Sequence, residues 1–445
     1  MQLSVRASQS TRLLPQTSRW ARQLAGTRHF SFAPGRYKQR LVILGSGWGG
    51  YGLLKGIDKN KWDVTVISPN TYFNFTPLLA SCAVGTLEFR TAIEPVRRYA
   101  PKVTYYQAWC DEVDFNQKVL KCMPATRPLH TEPASGDHSH SHPIPNEPFS
   151  VRYDKLVIAV GAYSQSFEQA NQPFLSDIQR RNLLNFCIVG GGPTGIEFAA
   201  ELHDLLHTDI LKHFPPSLTR LAKITVYDVA PNILGTFDQN LRKYTEKTLA
   251  REGINLLTRH HGKMYVKEQG EVPFGLLVWS TGLAPNPLVK SLGDVKKDPR
   301  TSSIITSDQL NVFREDGQVN PDVWAIGDAA KIEDAPLPAT AQVASQKAKY
   351  MAKKLNKIGN DQEHDKPFEF HNQGSLAYIG SWKAIYDRPS APGEEQGFMS
   401  KETGRVAWLL WRSAYFTMTL SWRNKILVPT YWFMNWIFGR DLTRF

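Results

Sequence analysis

Two short glycine clusters carry the chemistry that can be read first. Gly45-Ser46-Gly47-Trp48-Gly49-Gly50 satisfies G-x-G-x-x-G through Gly45, Gly47 and Gly50, and the run from Gly190 through Gly191, Gly192, Pro193 and Thr194 to Gly195 satisfies it again through Gly190, Gly192 and Gly195. In such a turn the first glycine permits a tight bend, the second lets the backbone approach a pyrophosphate, and the third lets helix pack on strand. The helix that follows offers free N–H groups and the positive end of its dipole to the anion. One such turn is common. Two in one chain, each between a strand and a helix, point to two bound dinucleotides. An acid at the end of each unit's second strand binds a ribose 2′-hydroxyl and repels a 2′-phosphate. Asp228 stands there in the second unit and favours NADH over NADPH, whereas Ser68 stands there in the first. The first ligand's adenine ribose is then held by Ser68 itself or by backbone nearby.

These turns need strands behind them, and the apolar runs supply them. Residues 41–44 lead into the first turn and 63–68 follow its helix, a β-α-β opening; 185–189 and 224–227 flank the second turn in the same way. Further strand endings occur at Gly161, at Thr281-Gly282 and at Gly327-Asp328, positions where an open parallel sheet places ligand contacts. Residues 122–149 are rich in Pro, Ser and His and read as an exposed loop, so His138, His140 and His142 are read as solvated rather than metal-bound. No metal site is expected.

The chain has 445 residues, enough for two or three domains, and no internal repeat. Its formal charge of +12 is unevenly placed: seven Arg and one Lys lie in the first 40 residues, with no acid before Asp58, and 12 minus 8 leaves about +4 for the remainder. Residues 1–36 are basic, rich in Ser and Thr and without a long apolar run, the composition of a mitochondrial transit peptide, with a plausible processing region at Arg28-His29-Phe30-Ser31. The rest lacks the basic stripe with stacking aromatics that nucleic-acid binding requires. Cys82, Cys110, Cys122 and Cys187 form no C-x-x-C or other close pair in sequence, which suits a reduced compartment.

Beyond the glycines the sequence resembles the type II NADH:quinone oxidoreductases, the alternative NADH dehydrogenases of fungal and plant mitochondria. The resemblance runs from about residue 40 to the C-terminus. It rests on Ser68-Pro69, Phe75-Thr76-Pro77-Leu78-Leu79, Val84-Gly85-Thr86, Ile93-Glu94-Pro95, residues 190–202 and 325–328, and Ala341-Gln342-Val343-Ala344-Ser345-Gln346. It implies FAD on the first unit, NADH on the second and ubiquinone as acceptor. It further implies Thr76 and Pro77 along the flavin ring, Asp328 on the ribitol, Glu197 beside the nicotinamide, and Gln342 and Gln346 near the ring on its quinone side. Gly49, Gly161, Thr194, Thr281, Gly282 and Gly327 join these as cofactor-binding candidates. Taken alone, Glu197 reads as an acid in the first turn of a helix, favoured by the dipole. Gln342 and Gln346, at i and i+4, read alone as an exposed polar face. Hydride transfer between cofactors needs no protein nucleophile, and no Ser/His/Asp constellation is present.

A quinone acceptor requires contact with lipid. Trp408, Trp411, Tyr415, Met418 and Trp422 fall on one helical face, residues 426–438 form a second apolar run, and Arg405, Arg412, Arg423, Lys425 and Arg440 punctuate both. Neither run reaches the roughly 18–20 residues a span needs. An amphipathic membrane-surface anchor is expected, against a dimer interface or a buried core helix.

The expected architecture is therefore α/β, with two Rossmann-like dinucleotide-binding domains. A transit peptide would occupy 1–36, the FAD domain 37–163 and 301–370, the inserted NAD domain 164–300, and an amphipathic membrane-anchoring module 371–445. Membership of a sulfide:quinone oxidoreductase group would need reactive cysteines near the flavin. The matrix side of the inner membrane is the expected location. Only 28 residues separate Gly161 from Gly190, and 254–281 is short for the three-stranded meander the resemblance implies. Both shortenings touch the NAD domain and predict weaker NADH binding and a less stable NAD domain with FAD retained, the alternative being a flavoprotein impaired in turnover.

Overall fold

The computed structural model describes residues 38–99, 102–126, 129–130, 143–144, 147–163, 181–213, 220–258, 265–266, 270–272, 274–282, 284–388, 400–419 and 421–440. The expected transit segment and processing region and the His138–His142 run lie outside the described residues.

From the N-terminus, β1 (Arg40–Leu44), α1 (Trp48–Gly56) and β2 (Asp63–Ser68) form the expected β-α-β unit, followed by β3 (Val103–Asp114), β4 (Val119–Pro124), β5 (Phe149–Arg152) and β6 (Lys155–Ile158). The second unit is β7 (Asn185–Val189), α2 (Pro193–Asp204), β8 (Lys223–Tyr227), α3 (Gln239–Arg251), β9 (Asn255–Leu257) and β10 (Leu276–Trp279). The chain then returns through β11 (Ile304–Thr306), β12 (Asn311–Phe313), β13 (Val319–Ala325), β14 (Ala330–Ile332) and α4 (Ala341–Ile358). It ends in a meander, β15 (Ser375–Tyr378), β16 (Ala384–Asp387) and β17 (Lys401–Thr403), with α5 (Gly404–Met418) and α6 (Trp422–Phe438).

The large sheet has the order β14-β11-β12-β13-β6-β1-β2-β3-β4-β5. Its centre is parallel: β1 pairs with β6 and β2, and β6 with β13. Parallel strands are covered on both faces and read as continuous apolar runs, because alternate side chains enter opposite cores. Leu41 and Ile43 enter one core with Trp324 and Met351, while Val42 and Leu44 enter the other with Leu156 and Val323. Leu288, Val289, Leu292 and Val295 belong to that second core, so the return to the first domain is better drawn near residue 286 than at 301. On the first face, Ala348 and Ala352 of α4 lie where a Cβ on Gly52 or Gly56 would come within 2.9 and 2.8 Å. The missing side chains let α1 and α4 cross closely, which sets the N-terminus of α4 over the first glycine turn.

The smaller sheet, β9-β8-β7-β10, is also parallel. Its two faces are unequally covered among the described residues. One packs Ile188, Ile224 and Val226 against Ile196, Ala199, Leu241 and Leu249, whereas the other buries Cys187 and Tyr227 with partly buried Leu257, Phe274 and Leu277. Where the meander was expected, the described residues hold a two-residue pair, Tyr265–Val266 with Gly270–Glu271.

The C-terminal module is built into both domains. Ala377, Ile379 and Ile385 join the core of the smaller sheet, and Ala407, Trp411, Val428 and Trp432 join that of the larger.

Candidate active site

The two glycine turns have the same construction. Gly45 and Gly190 take φ of +101° and +118°, the left-handed region that side chains disfavour. A Cβ on Gly50 would lie 1.9 Å from the Gly45 carbonyl oxygen, and one on Gly195 2.0 Å from that of Gly190. A Cβ on Gly47 or Gly192 would meet nothing within 4 Å. Each turn is thus closed at its first and third glycines and open at its second, the shape that admits a pyrophosphate. Gly49 is packed against Ile326. Gly161 and Gly282 end β6 and β10 with nearly equal φ, +67° and +66°. Thr281 lies against Gly190, and Ser280 Oγ donates to Val189 O at 2.9 Å.

The two ribose positions differ. Asp228 accepts hydrogen bonds from the backbone N–H groups of Gly191 and, at 2.7 Å, Ala230, so its carboxylate is fixed at the end of β8. Ser68 is buried, its hydroxyl 2.8 Å from that of Ser46 and accepting from Asn70 N–H. Its hydroxyl thus braces the first turn.

Between the units lies a cavity of about 2180 Å³. Trp48, Thr76 and Pro77 line it from the first unit, Thr194 and Glu197 from α2, and Gln342 and Gln346 from α4. Trp48 Nε1 donates to Thr76 Oγ1 at 3.1 Å. Gly327 and Asp328 sit in a short turn after β13, and burial pushes the Asp328 carboxyl up, opposed by the charge of Lys347. Lys347 is itself buried on α4 and held down to about 8.

Gln342 and Gln346 are not a free polar face. Gln342 donates to Gly374 O at 3.2 Å and accepts from Gln373 N–H at 3.1 Å; Gln346 donates to His371 O at 2.8 Å and accepts from His371 N–H at 3.0 Å. Together they strap residues 371–374 to α4.

Glu197 is 8% exposed, and its carboxyl accepts from Tyr378 N–H at 3.1 Å and Trp411 Nε1 at 3.2 Å. Burial raises it to about 7, against those two hydrogen bonds. Glu197, Glu201 and Asp204 recur at i, i+4 and i+7 on α2, and all three are buried against the C-terminal module. Glu201 accepts from Ser81 at 2.6 Å, Thr86 at 3.0 Å and Arg440 at 3.2 Å. Asp204 accepts from the Tyr378 hydroxyl at 2.5 Å. Arg440 also reaches Asp209 at 2.7 Å.

Of the face expected to meet the membrane, Trp408, Trp411 and Tyr415 turn into the protein, whereas Met418 and Trp422 are exposed. Trp411 is 4% exposed and contacts Tyr378, Tyr415 and Trp432. Arg412 lies over the rings of Trp408 and Trp432, at 4.3 and 4.4 Å. Trp408, Trp411 and Tyr415 are therefore inner residues, and Arg412 and Arg440 are internal partners, not flanking surface cations. The helix ends at Met418, so Trp422 begins α6 on another face. The exposed apolar surface of α5 and α6 includes Leu409, Phe416, Met418, Trp422, Ile426, Phe433, Trp436 and Phe438. No helix of the described residues is long and apolar enough to cross a membrane, and no group of metal-ligating side chains occurs among them.

Residues 39–348 match the family described as pyridine nucleotide-disulphide oxidoreductase, and residues 372–441 match the NDH2 C-terminal domain. The chain is 36% identical to the internal alternative NAD(P)H-ubiquinone oxidoreductase A1 of Solanum tuberosum, covering 92% of this chain and 88% of that one. It belongs to the type II NAD(P)H:ubiquinone oxidoreductases. The external alternative NADH-ubiquinone oxidoreductase of Yarrowia lipolytica is 34% identical, over 92% of this chain and 81% of that one. The solved structure of NDH2 from Plasmodium falciparum in complex with NADH superposes with a TM-score of 0.76 at 24% identity, covering 91% of this chain and 99% of that one. The family thus includes mitochondrial enzymes named internal and external. The potato alignment runs over 463 positions, more than the 445 residues of this chain, so the relative carries internal residues that this type II enzyme lacks. The lining of the cavity contains no cysteine among the described residues, so the sulfide chemistry that would need a cysteine pair there finds no support.

Trp411, Tyr378 and Arg440 were missed as site residues from sequence. The spacing of Glu197, Glu201 and Asp204 on one helix is the signal that partners must exist for them.

Proposed function

We propose that the chain oxidises NADH with FAD as bound carrier and delivers the electrons to ubiquinone at the inner mitochondrial membrane, without pumping protons. The observation that supports this best is the cavity shared by both dinucleotide units and by α4, which brings the donor and acceptor sides of one flavin ring together. The first turn fits FAD, since Gly47 leaves open space where a pyrophosphate belongs and Gly45 and Gly50 close the cradle behind it. Bound FAD supplies a ring that accepts hydride and releases electrons. Thr76 and Pro77 border that ring, and Asp328 accepts from the ribitol.

Gly190, Gly192, Thr194 and Gly195 seat the NADH pyrophosphate at the N-terminus of α2, with Gly282 at the neighbouring strand end. Asp228 takes the adenine ribose and rejects a 2′-phosphate. Glu197 lies on the nicotinamide side, with Trp411 and Tyr378 holding its carboxyl. Gln342 and Gln346 fix residues 371–374 along the quinone side. The exposed aromatic and aliphatic residues of α6, with Leu409 and Phe416 of α5, rest on the membrane surface. The matrix face is proposed from the basic, acid-poor residues 1–36 together with the lack of a spanning helix among the described residues; protease treatment of mitoplasts tests it, and digestion of the catalytic domain there would place it outside.

The purified protein, assayed with NADH and a short-chain quinone, tests the main reading. A yellow preparation that reduces the quinone with NADH, more efficiently than with NADPH and not with sulfide, is expected. A colourless protein that takes up no FAD, or equal kcat/KM for the two nucleotides, would overturn it.

A further inference from the structure

The antiparallel pairing of β3 with β4 places Cys110 directly opposite Cys122. Twelve positions apart in sequence, they show no motif, yet in the sheet they are nearest cross-strand neighbours. Directly opposed residues of an antiparallel pair project to the same face with Cα atoms about 4.5–5.5 Å apart. That separation falls within the roughly 4.4–6.8 Å that a disulfide spans. Both thiols are free. Cys122 is buried in the core with Leu120, and Cys110 is half-buried and packs against that same core. The ladder shifts register between Cys110 and Glu112, so the strand is already bent beside the pair.

We propose that Cys110 and Cys122 form a redox-active pair that closes to a cross-strand disulfide when the protein meets a two-electron oxidant of the peroxide class. The nearness of the two sulfurs pushes the Cys110 thiol up and holds the Cys122 thiol below its ordinary range, while the Cys110 Sγ donates to Glu112 O at 3.5 Å. The cross-strand pairing sets the two sulfurs beside each other before any oxidant arrives. Peroxide oxidises one sulfur of the pair, reacting as its thiolate. The O–O bond of hydrogen peroxide breaks, one oxygen joins that sulfur, and the other leaves as water with the thiol proton. The second sulfur then displaces hydroxide from the first, and the hydroxide departs as a second water with the proton of the second thiol. The two sulfurs are oxidised by two electrons and the peroxide is reduced to two waters. Because the pair lies outside the cavity lining, this chemistry is separate from electron transfer between nucleotide and quinone.

The test uses the full-length, FAD-loaded protein. It is reduced, exposed to hydrogen peroxide, then denatured in an alkylating reagent and weighed intact. Two of the four cysteines should escape alkylation, with the loss of two hydrogens, and a peptide map should show Cys110 joined to Cys122. A thiol reductant should restore four alkylated sites. In Cys122→Ser the link should be lost and Cys110 should be trapped as a sulfenic acid by a dione probe, whereas Cys82→Ser should still form the link. Four alkylated thiols after peroxide, a link involving Cys82 or Cys187, or overoxidation of Cys110 in the wild type without any link would overturn the proposal.

Discussion

Glu197→Gln isolates the charge of one buried carboxyl from its shape. The amide oxygen of Gln can accept from Tyr378 N–H and Trp411 Nε1 as the carboxylate does, so the substitution removes a titration and little else. In the folded protein the group is raised from 4.5 to about 7 by burial. Between those two pH values the unfolded chain has released a proton that the native protein still holds, so native stability falls as pH rises. At about 1.4 kcal/mol for each pH unit, the loss approaches ~3 kcal/mol once pH exceeds 7. Below pH 4.5 both states hold the proton, and wild type and variant should be equally stable. Above pH 7 the variant should be more stable by up to that amount. Urea unfolding of the FAD-loaded protein at pH 5, 6, 7 and 8 reads the difference directly. Stability curves that run parallel for wild type and variant from pH 5 to 8 would refute the reasoning, because they would mean that the carboxyl is ionised throughout.

The same variant should slow flavin reduction by NADH more than reoxidation by quinone, whereas Gln342→Ala, which loosens residues 371–374, should show the opposite bias; stopped-flow traces with both variants slowing the same step would contradict the placement. Arg440→Met strips the buried carboxylates of Glu201 and Asp209 of their cation, and should cost about 3–5 kcal/mol in unfolding experiments at neutral pH; Glu201→Gln in that background should restore part of the loss. Trp436 and Phe438 are 67% and 75% exposed, and replacing either with Ser should weaken binding to liposomes by about tenfold or more, whereas Trp411→Phe should leave liposome binding unchanged and shift the pH dependence of NADH oxidation. The short segments 162–189 and 254–281 should make NADH affinity and flavin-reduction rate lower than in a relative with longer internal segments, while FAD content stays equal; matched affinities and rates would sink that expectation.

What the sequence made legible is whatever depends on local backbone geometry. The glycine turns, the strand ends at Gly161, Gly282 and Gly327, and the position of Asp228 each follow from a few consecutive residues, and the structure places them accordingly. The features that eluded sequence reading all depend on what stands opposite a residue. Ser68 sits at the ribose end of β2, but its hydroxyl turns back to Ser46, a partner 22 residues earlier. Cys110 and Cys122 become neighbours through a register that a bulge displaces. The return to the first domain near residue 286 is visible through Leu288 and Val289, whose core partners are Val42 and Leu156. The clearest instance is α5. Its spacing defines an aromatic face, but Leu409 and Phe416 make the other side apolar as well, and periodicity cannot say which side meets protein. The carboxylates of α2 can. A buried Glu197 requires donors, and the nearest chain able to supply an indole N–H is the inner face of α5. The face that carries Trp411 is therefore committed to the site, and the aliphatic and aromatic residues left over on α5 and α6 are the ones free to meet lipid.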